Sequence, residues 1–215
     1  MTYGKRLSGL LTAQERHLFE RLDTPQKVQD YLDTLPLNFE RKEETYMSPR
    51  RMLREKTAHC FEGALFAAAV LAYHGQKPLL LDLQAALGDD DHVVTLYRQS
   101  GRWGAISKTN HAILRYRDPV YESVRELAMS FFHEYYDDLG RKTMRAFSAP
   151  FDLSKYRPGQ WVTIEHDLVW LVNALDASRH FPIAPKKNVR LLRKASKTER
   201  RTLKTREWKA QGKRF

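Results

Sequence analysis

The stretch Thr57-Ala58-His59-Cys60-Phe61-Glu62-Gly63-Ala64-Leu65-Phe66-Ala67-Ala68-Ala69-Val70-Leu71 decides how this chain is read. From Phe61 onward it is apolar almost all round, so it predicts a helix buried on every side rather than an amphipathic surface helix. His74-Gly75 followed by Pro78 supplies its stop. Cys60, the single cysteine of the chain, stands at the helix start. There the unpaired N–H groups and the positive end of the helix favour thiolate over thiol. Taken alone, the position suits a small core residue as well as a nucleophile.

Working outward, three helix starts carry a capping residue followed by proline: Thr24-Pro25, Ser48-Pro49 and Asp118-Pro119. A further helix follows Thr12. Downstream of the buried helix, Leu79 to Leu83 reads as a buried strand. His92 to Tyr97 and Arg102 to Ser107 read as a β-hairpin turning at Gln99-Ser100-Gly101. After Asp118, a stripe of Val120, Val124, Leu127, Phe131 and Tyr135 predicts a helix, and Leu168 to Leu175 another.

The 215 residues suit one sizeable core, and a single cysteine excludes an intramolecular disulfide framework and Cys-rich zinc sites. No apolar run reaches the roughly 20 residues of a membrane span, and no secretory apolar region follows the N-terminal basic pair, so the expected compartment is cytoplasmic. The net charge of +11 is a property of the tail. Residues 186–215 carry thirteen basic and two acidic side chains, while residues 1–185 balance at twenty-four of each. The expected organisation is a neutral globular domain over 1–185 and a flexible or partly helical basic tail over 186–215. Such a tail suits nucleic acid or another polyanion as partner, with Trp208 available to stack on a base.

The hairpin supplies the second half of a site. A tight turn near Gln99 to Gly101 sets His92 opposite a residue between Ser107 and Thr109. A thiol nucleophile needs an imidazole within hydrogen-bond reach, and the imidazole needs a polar group to fix its tautomer. Cys60, His92 and a polar group at 107–110, with Ser107 and Asn110 as the candidates, meet those needs in that order.

Between Thr24 and Ser107 the chain resembles the transglutaminase-like superfamily of papain-like cysteine enzymes. The resemblance rests on the Thr24-Pro25 helix, Glu44-Thr45-Tyr46-Met47-Ser48-Pro49, the block His59-Cys60-Phe61-Glu62-Gly63-Ala64, His74-Gly75-Gln76-Lys77-Pro78, Asp91-His92-Val93-Val94 and Gly101-Arg102-Trp103-Gly104. It implies an α+β fold with a papain-like core, in which a central buried helix packs on an antiparallel sheet. It also implies a thiol-dependent amidase, peptidase or acyl transferase acting on a peptide, amide or thioester; no cofactor or metal is expected for this chain. The family's nucleophile falls on Cys60 and its histidine on His92. Its aspartate aligns with Ser107, which carries no charge. Asn110 stands three residues further on as a substitute orienter. The missing carboxylate also suits a second reading, a non-catalytic binding module on the same fold.

Other chemistry-bearing residues read as structural. Asp89-Asp90-Asp91 lacks the spacing of a calcium loop and reads as solvated. His133-Glu134 lacks the second histidine of a zinc helix. His59 beside Cys60 reads as diverging from it, because sequence neighbours on a helix do not face each other. His111 and His166 have no evident partner, and Trp103 and Trp161 suit the core or a cleft wall.

Overall fold

The computed structural model describes residues 2–40 and 43–214. The end residues of the two expected ranges, Met1 and Phe215, lie outside the described residues, as do Arg41 and Lys42. In chain order the elements are α1 (Tyr3–Ser8), α2 (Ala13–Arg21), α3 (Pro25–Thr34), α4 (Pro49–Glu55), α5 (Cys60–Tyr73), β1 (Leu79–Gln84), β2 (His92–Gln99), β3 (Arg102–Ile106), β4 (Arg117–Tyr121), α6 (Val124–Phe132), β5 (Ala146–Ser148), β6 (Phe151–Asp152), α7 (Val169–Asp176), β7 (His180–Pro182), α8 (Lys186–Val189) and α9 (Lys197–Arg200). The fold is mixed α+β. The described strands form one seven-stranded sheet of order β4-β3-β2-β1-β5-β7, with β6 also pairing β1. All of its named pairings are antiparallel.

The sheet is covered on both faces, which explains why β1 reads as a nearly unbroken apolar run rather than an alternation. Leu80, Val93, Tyr97 and Ile106 belong to the core that contains α5. Leu81, Leu83, Val94, Leu96 and Ala105 belong to the opposite core, with Leu127, Ala128 and Phe131 of α6. Every residue of α5 from Phe61 to Ala72 is buried. The Thr95 hydroxyl donates to the Ala64 carbonyl at 2.5 Å and ties β2 to the middle of that helix.

Local signals account for most boundaries. Thr12, Thr24 and Ser48 cap α2, α3 and α4 through their side chains. Ser100 and Gly101, both at positive φ, form the two-residue turn that sets the β2–β3 register. Asp118-Pro119 departs from expectation. It does not open a helix but lies in β4, at the edge of the sheet. Proline is tolerated there because an edge strand leaves one row of N–H positions without a partner. The helix begins instead at Val124, capped by Ser123.

The basic C-terminal segment also differs from a free, flexible tail. α8 and α9 make it partly helical, and it is docked along the body. Ala195 N–H donates to Gly140 O, the Tyr136 hydroxyl donates to Glu199 O, and Ala112 N–H donates to Thr205 O. Trp208 is buried rather than offered to a base, and its ring lies near Lys108 and Arg214.

Gly63 marks the tightest approach to α5. A Cβ there would fall 2.6 Å from Lys108 Cβ and 3.2 Å from its Cγ. Alanine gains about 1 kcal/mol in helix propensity, but the clash meets the fixed base of a buried side chain. Gly63→Ala is therefore expected to destabilise the fold by about 1–2 kcal/mol net, seen as a lower thermal midpoint. An unchanged or higher midpoint would show that Lys108 yields freely.

Candidate active site

α5 begins where the chain leaves an extended His59, and this places Cys60 at the first helical position. The start is held by reciprocal capping. Phe61 N–H donates to His59 Nδ1 at 3.3 Å, and His59 N–H donates to Glu62 Oε2 at 3.0 Å. Among the described residues the Cys60 N–H has no hydrogen-bond acceptor, as the first position of a helix leaves it. The thiol is half-buried, 4.0 Å from the Asp91 carbonyl.

Two imidazoles, His59 and His92, act electrostatically on the Cys60 thiol. Burial pushes the thiol pKa up, but hydrogen bonds from His59 and His92 and their positive charge outweigh it and bring it down to about 5.

The tautomer of His92 follows from its neighbours. Its Nε2 is 2.8 Å from Ser107 Oγ, and the Ser107 hydroxyl donates its only proton to Leu114 O at 2.6 Å. Ser107 must therefore accept from Nε2–H, which leaves Nδ1 as the atom for the sulfur. The structure thus brings Ser107 and His92 together, through a group that carries no charge. A carboxylate in its place would bring two acceptors, itself and the Leu114 carbonyl, face to face in a buried position. The Ser107 main chain is fixed in turn by Gln29, whose Oε1 accepts Ser107 N–H at 3.0 Å and whose Nε2 donates to Ser107 O at 2.9 Å.

Asn110 does not serve as orienter. Its Nδ2 donates to Trp208 O at 2.9 Å and its Oδ1 accepts Trp208 N–H at 2.6 Å. Its side chain anchors the C-terminal segment, and its buried position reflects that docking.

His59 reverses the expectation of divergence. It is the cap of α5 and not a helical residue, so the i,i+1 argument does not apply to it. Its Nε2 faces Thr45 O at 2.7 Å, Glu40 Oε1 at 3.4 Å and Glu62 Oε1 at 3.5 Å, all acceptors, and so carries a proton. Nδ1 is the atom that accepts the Phe61 N–H. Burial lowers the basicity of this imidazole, but the Cys60 hydrogen bond and the Glu62 carboxylate outweigh that and raise its pKa to about 10. Glu62, fully buried, also accepts Met47 N–H at 3.1 Å, the Thr45 hydroxyl at 3.0 Å and Asn38 Nδ2 at 3.1 Å. The one available sequence signal was Glu62 three residues after His59, the spacing of a capping box.

Cys60 opens on a cleft of about 680 Å³. The Asp89–Asp91 run forms one of its rims rather than a merely solvated loop. Asp91 Oδ1 accepts Ala85 N–H at 2.6 Å, which folds the loop back over the end of β1. The described residues contain no group of three or more His, Cys, Asp or Glu side chains arranged to hold a metal ion. They also contain no helix long and apolar enough to cross a membrane. No family model matches this chain, and no curated protein matches it either.

Proposed function

We propose that the protein is a thiol-dependent hydrolase or acyl transferase of the transglutaminase-like, papain-like type. One observation carries the reading. A buried hydroxyl at 2.8 Å holds the far nitrogen of His92, and this histidine is one of the two that draw down the pKa of the thiol at the start of the buried helix. That is the nucleophile–base–orienter relation required of an activated cysteine.

The thiol proton passes to His92 Nδ1, and the sulfur attacks the carbonyl carbon of an amide, peptide or thioester. A C–S bond forms as the carbonyl π pair moves to oxygen, where the free Cys60 N–H receives it. Collapse breaks the bond to the leaving amine or thiol, which takes the proton from His92. Water or an amine then attacks the thioester, gives its proton to His92, and the thiolate departs. His59, countered by Glu62, holds positive charge beside the sulfur throughout. Polyanion binding along the C-terminal segment stands as a second reading, supported by cationic side chains such as Lys186, Lys187, Arg190 and Lys194 that remain exposed after docking.

The test is the pH dependence of Cys60 alkylation by iodoacetamide, combined with turnover of an activated acyl ester. The rate should be flat from about pH 6 upward and fall only near 5, because the thiolate persists above the depressed pKa. A midpoint near the ordinary thiol value of about 8.5 would remove the reading. A reactive thiolate without acyl turnover would favour the non-catalytic module.

A further inference from the structure

The charge of the chain and the charge of its cleft have opposite signs. The protein carries +11 overall. Yet the cleft that holds Cys60 is lined by Glu40 and Glu44 on one side, the Asp89–Asp91 run on the other, and Asp82 with Asp176. No lysine or arginine is among its described lining residues.

Asp82 sets this wall apart from an ordinary acidic surface. It is 1% exposed, and its Oδ1 has no hydrogen-bond partner. Its Oδ2 meets His180 Nε2 at 3.0 Å, while His180 Nδ1 faces Ser178 O at 2.8 Å. Burial, only partly offset by His180 and reinforced by the negative charge of Asp91 and Asp176, raises the Asp82 pKa to about 6. Burial also raises Asp91, with Asp89 and Asp90 adding to it and the Ala85 N–H and His180 opposing it, and burial with the charge of Asp91 raises Asp176 against His180. Of the three carboxylates that line this part of the cleft, only Asp82 is paired with the imidazole, and its second oxygen is buried without a partner. Val172 and Leu175 supply an apolar strip beside them. A metal ion does not suit this wall, whose acids do not converge as ligands among the described residues. An alkyl stem with a charged head does.

We propose that the cleft binds an organic cation, a primary ammonium or guanidinium on an aliphatic stem, with its head against Asp82 and Asp176 and its reacting end at Cys60. This substrate class rests on the thiol chemistry proposed above, but its test separates the two.

Cys60 is reacted with two methanethiosulfonates of similar size, one bearing trimethylammonium and one sulfonate. In each case the thiolate attacks the reagent's sulfur, a mixed disulfide forms and methanesulfinate leaves. The ratio of the two rates cancels the ionisation of the thiol and reports the sign of the local field. The cationic reagent should be favoured by about tenfold or more over the ratio found for the urea-unfolded chain. Asp82→Asn should cut that preference several-fold. So should Asp176→Asn, which lies at the surface and keeps the test alive if the Asp82 variant fails to fold. Agmatine and N-acetylagmatine should protect Cys60 beyond sodium chloride of equal ionic strength. Protection by both assigns the cation to the acyl donor. Protection by agmatine alone assigns it to the amine that resolves the thioester. A folded-state ratio equal to that of the unfolded chain, or no protection by either compound, overturns the proposal. An ordinary thiol titration with the cation preference intact would instead remove the catalytic reading alone.

Discussion

Replacing His92 by alanine is expected to lower acyl turnover by about 10⁴-fold while leaving Cys60 alkylatable at neutral pH. In the proposed mechanism the two imidazoles that lower the thiol pKa have different surroundings and so different work. His92 has Nε2–H engaged by Ser107, so Nδ1 is free to take and return a proton. His59 has Nε2 among Thr45 O, Glu40 and Glu62, a setting that favours its charged form. Loss of His92 removes the proton shuttle and one of the two influences that lower the thiol pKa. The midpoint for alkylation should therefore rise but stay below that of an ordinary thiol. His59→Ala should raise the same midpoint while reducing turnover much less, by about tenfold near neutral pH, since the shuttle survives. Alkylation profiles and turnover measured on both variants decide the matter. Equal losses of turnover in the two would refute the division of labour.

The second large effect is expected at Lys108, one of the largest fully buried side chains. Its ammonium donates to Leu32 O at 2.9 Å and Leu35 O at 2.5 Å, at the C-terminal end of α3, where the helix dipole favours a cation. Burial holds its pKa down near 8. Lys108→Ala leaves a cavity under Gly63 and withdraws the donor from both carbonyls. It should cost about 3–5 kcal/mol of stability, roughly 10 °C in the thermal midpoint for a chain of this size. Lys108→Met keeps most of the volume and removes the burial of charge, so about 1–3 kcal/mol is expected. Calorimetry on both variants separates packing from charge, and an alanine variant as stable as wild type would sink the argument. Function should follow stability. α3 carries Gln29, which holds the Ser107 main chain, so loosening α3 against the segment after β3 loosens the orienter of His92.

Local rules read well wherever a residue's neighbours in sequence are also its neighbours in space. The buried helix, its glycine stop and the hairpin turn follow from composition and from φ preferences, and the structure places them as read. Asp118-Pro119 was misread because cap-plus-proline also fits an edge strand, and only the sheet order tells the two apart. The two-residue turn brings the start of β2 near the residues that follow β3, but the ladder ends at Thr95 and Ile106, and the choice of Ser107 as the partner of His92 belongs to the chain beyond it. Asn110 carried the same chemical credentials as Ser107. Its amide was claimed by Trp208, ninety-eight residues away, and nothing local announces that. His59 was dismissed by a rule for helical residues, although it lies one position outside the helix.

The order of residues alone determined that this chain buries one helix completely, sets its only cysteine at the positive end of that helix and carries its excess charge near the C-terminus, since each of these depends on composition and short-range spacing. Packing between distant segments determined the rest. It decided that two imidazoles bear on the thiol's charge, that a serine hydroxyl is bonded to one of them, that the basic segment lies docked, and that the cleft of a cationic protein is acidic. The physical reason is that fields and hydrogen-bond acceptors act over a few ångströms of space, whatever the number of residues that separates them along the chain.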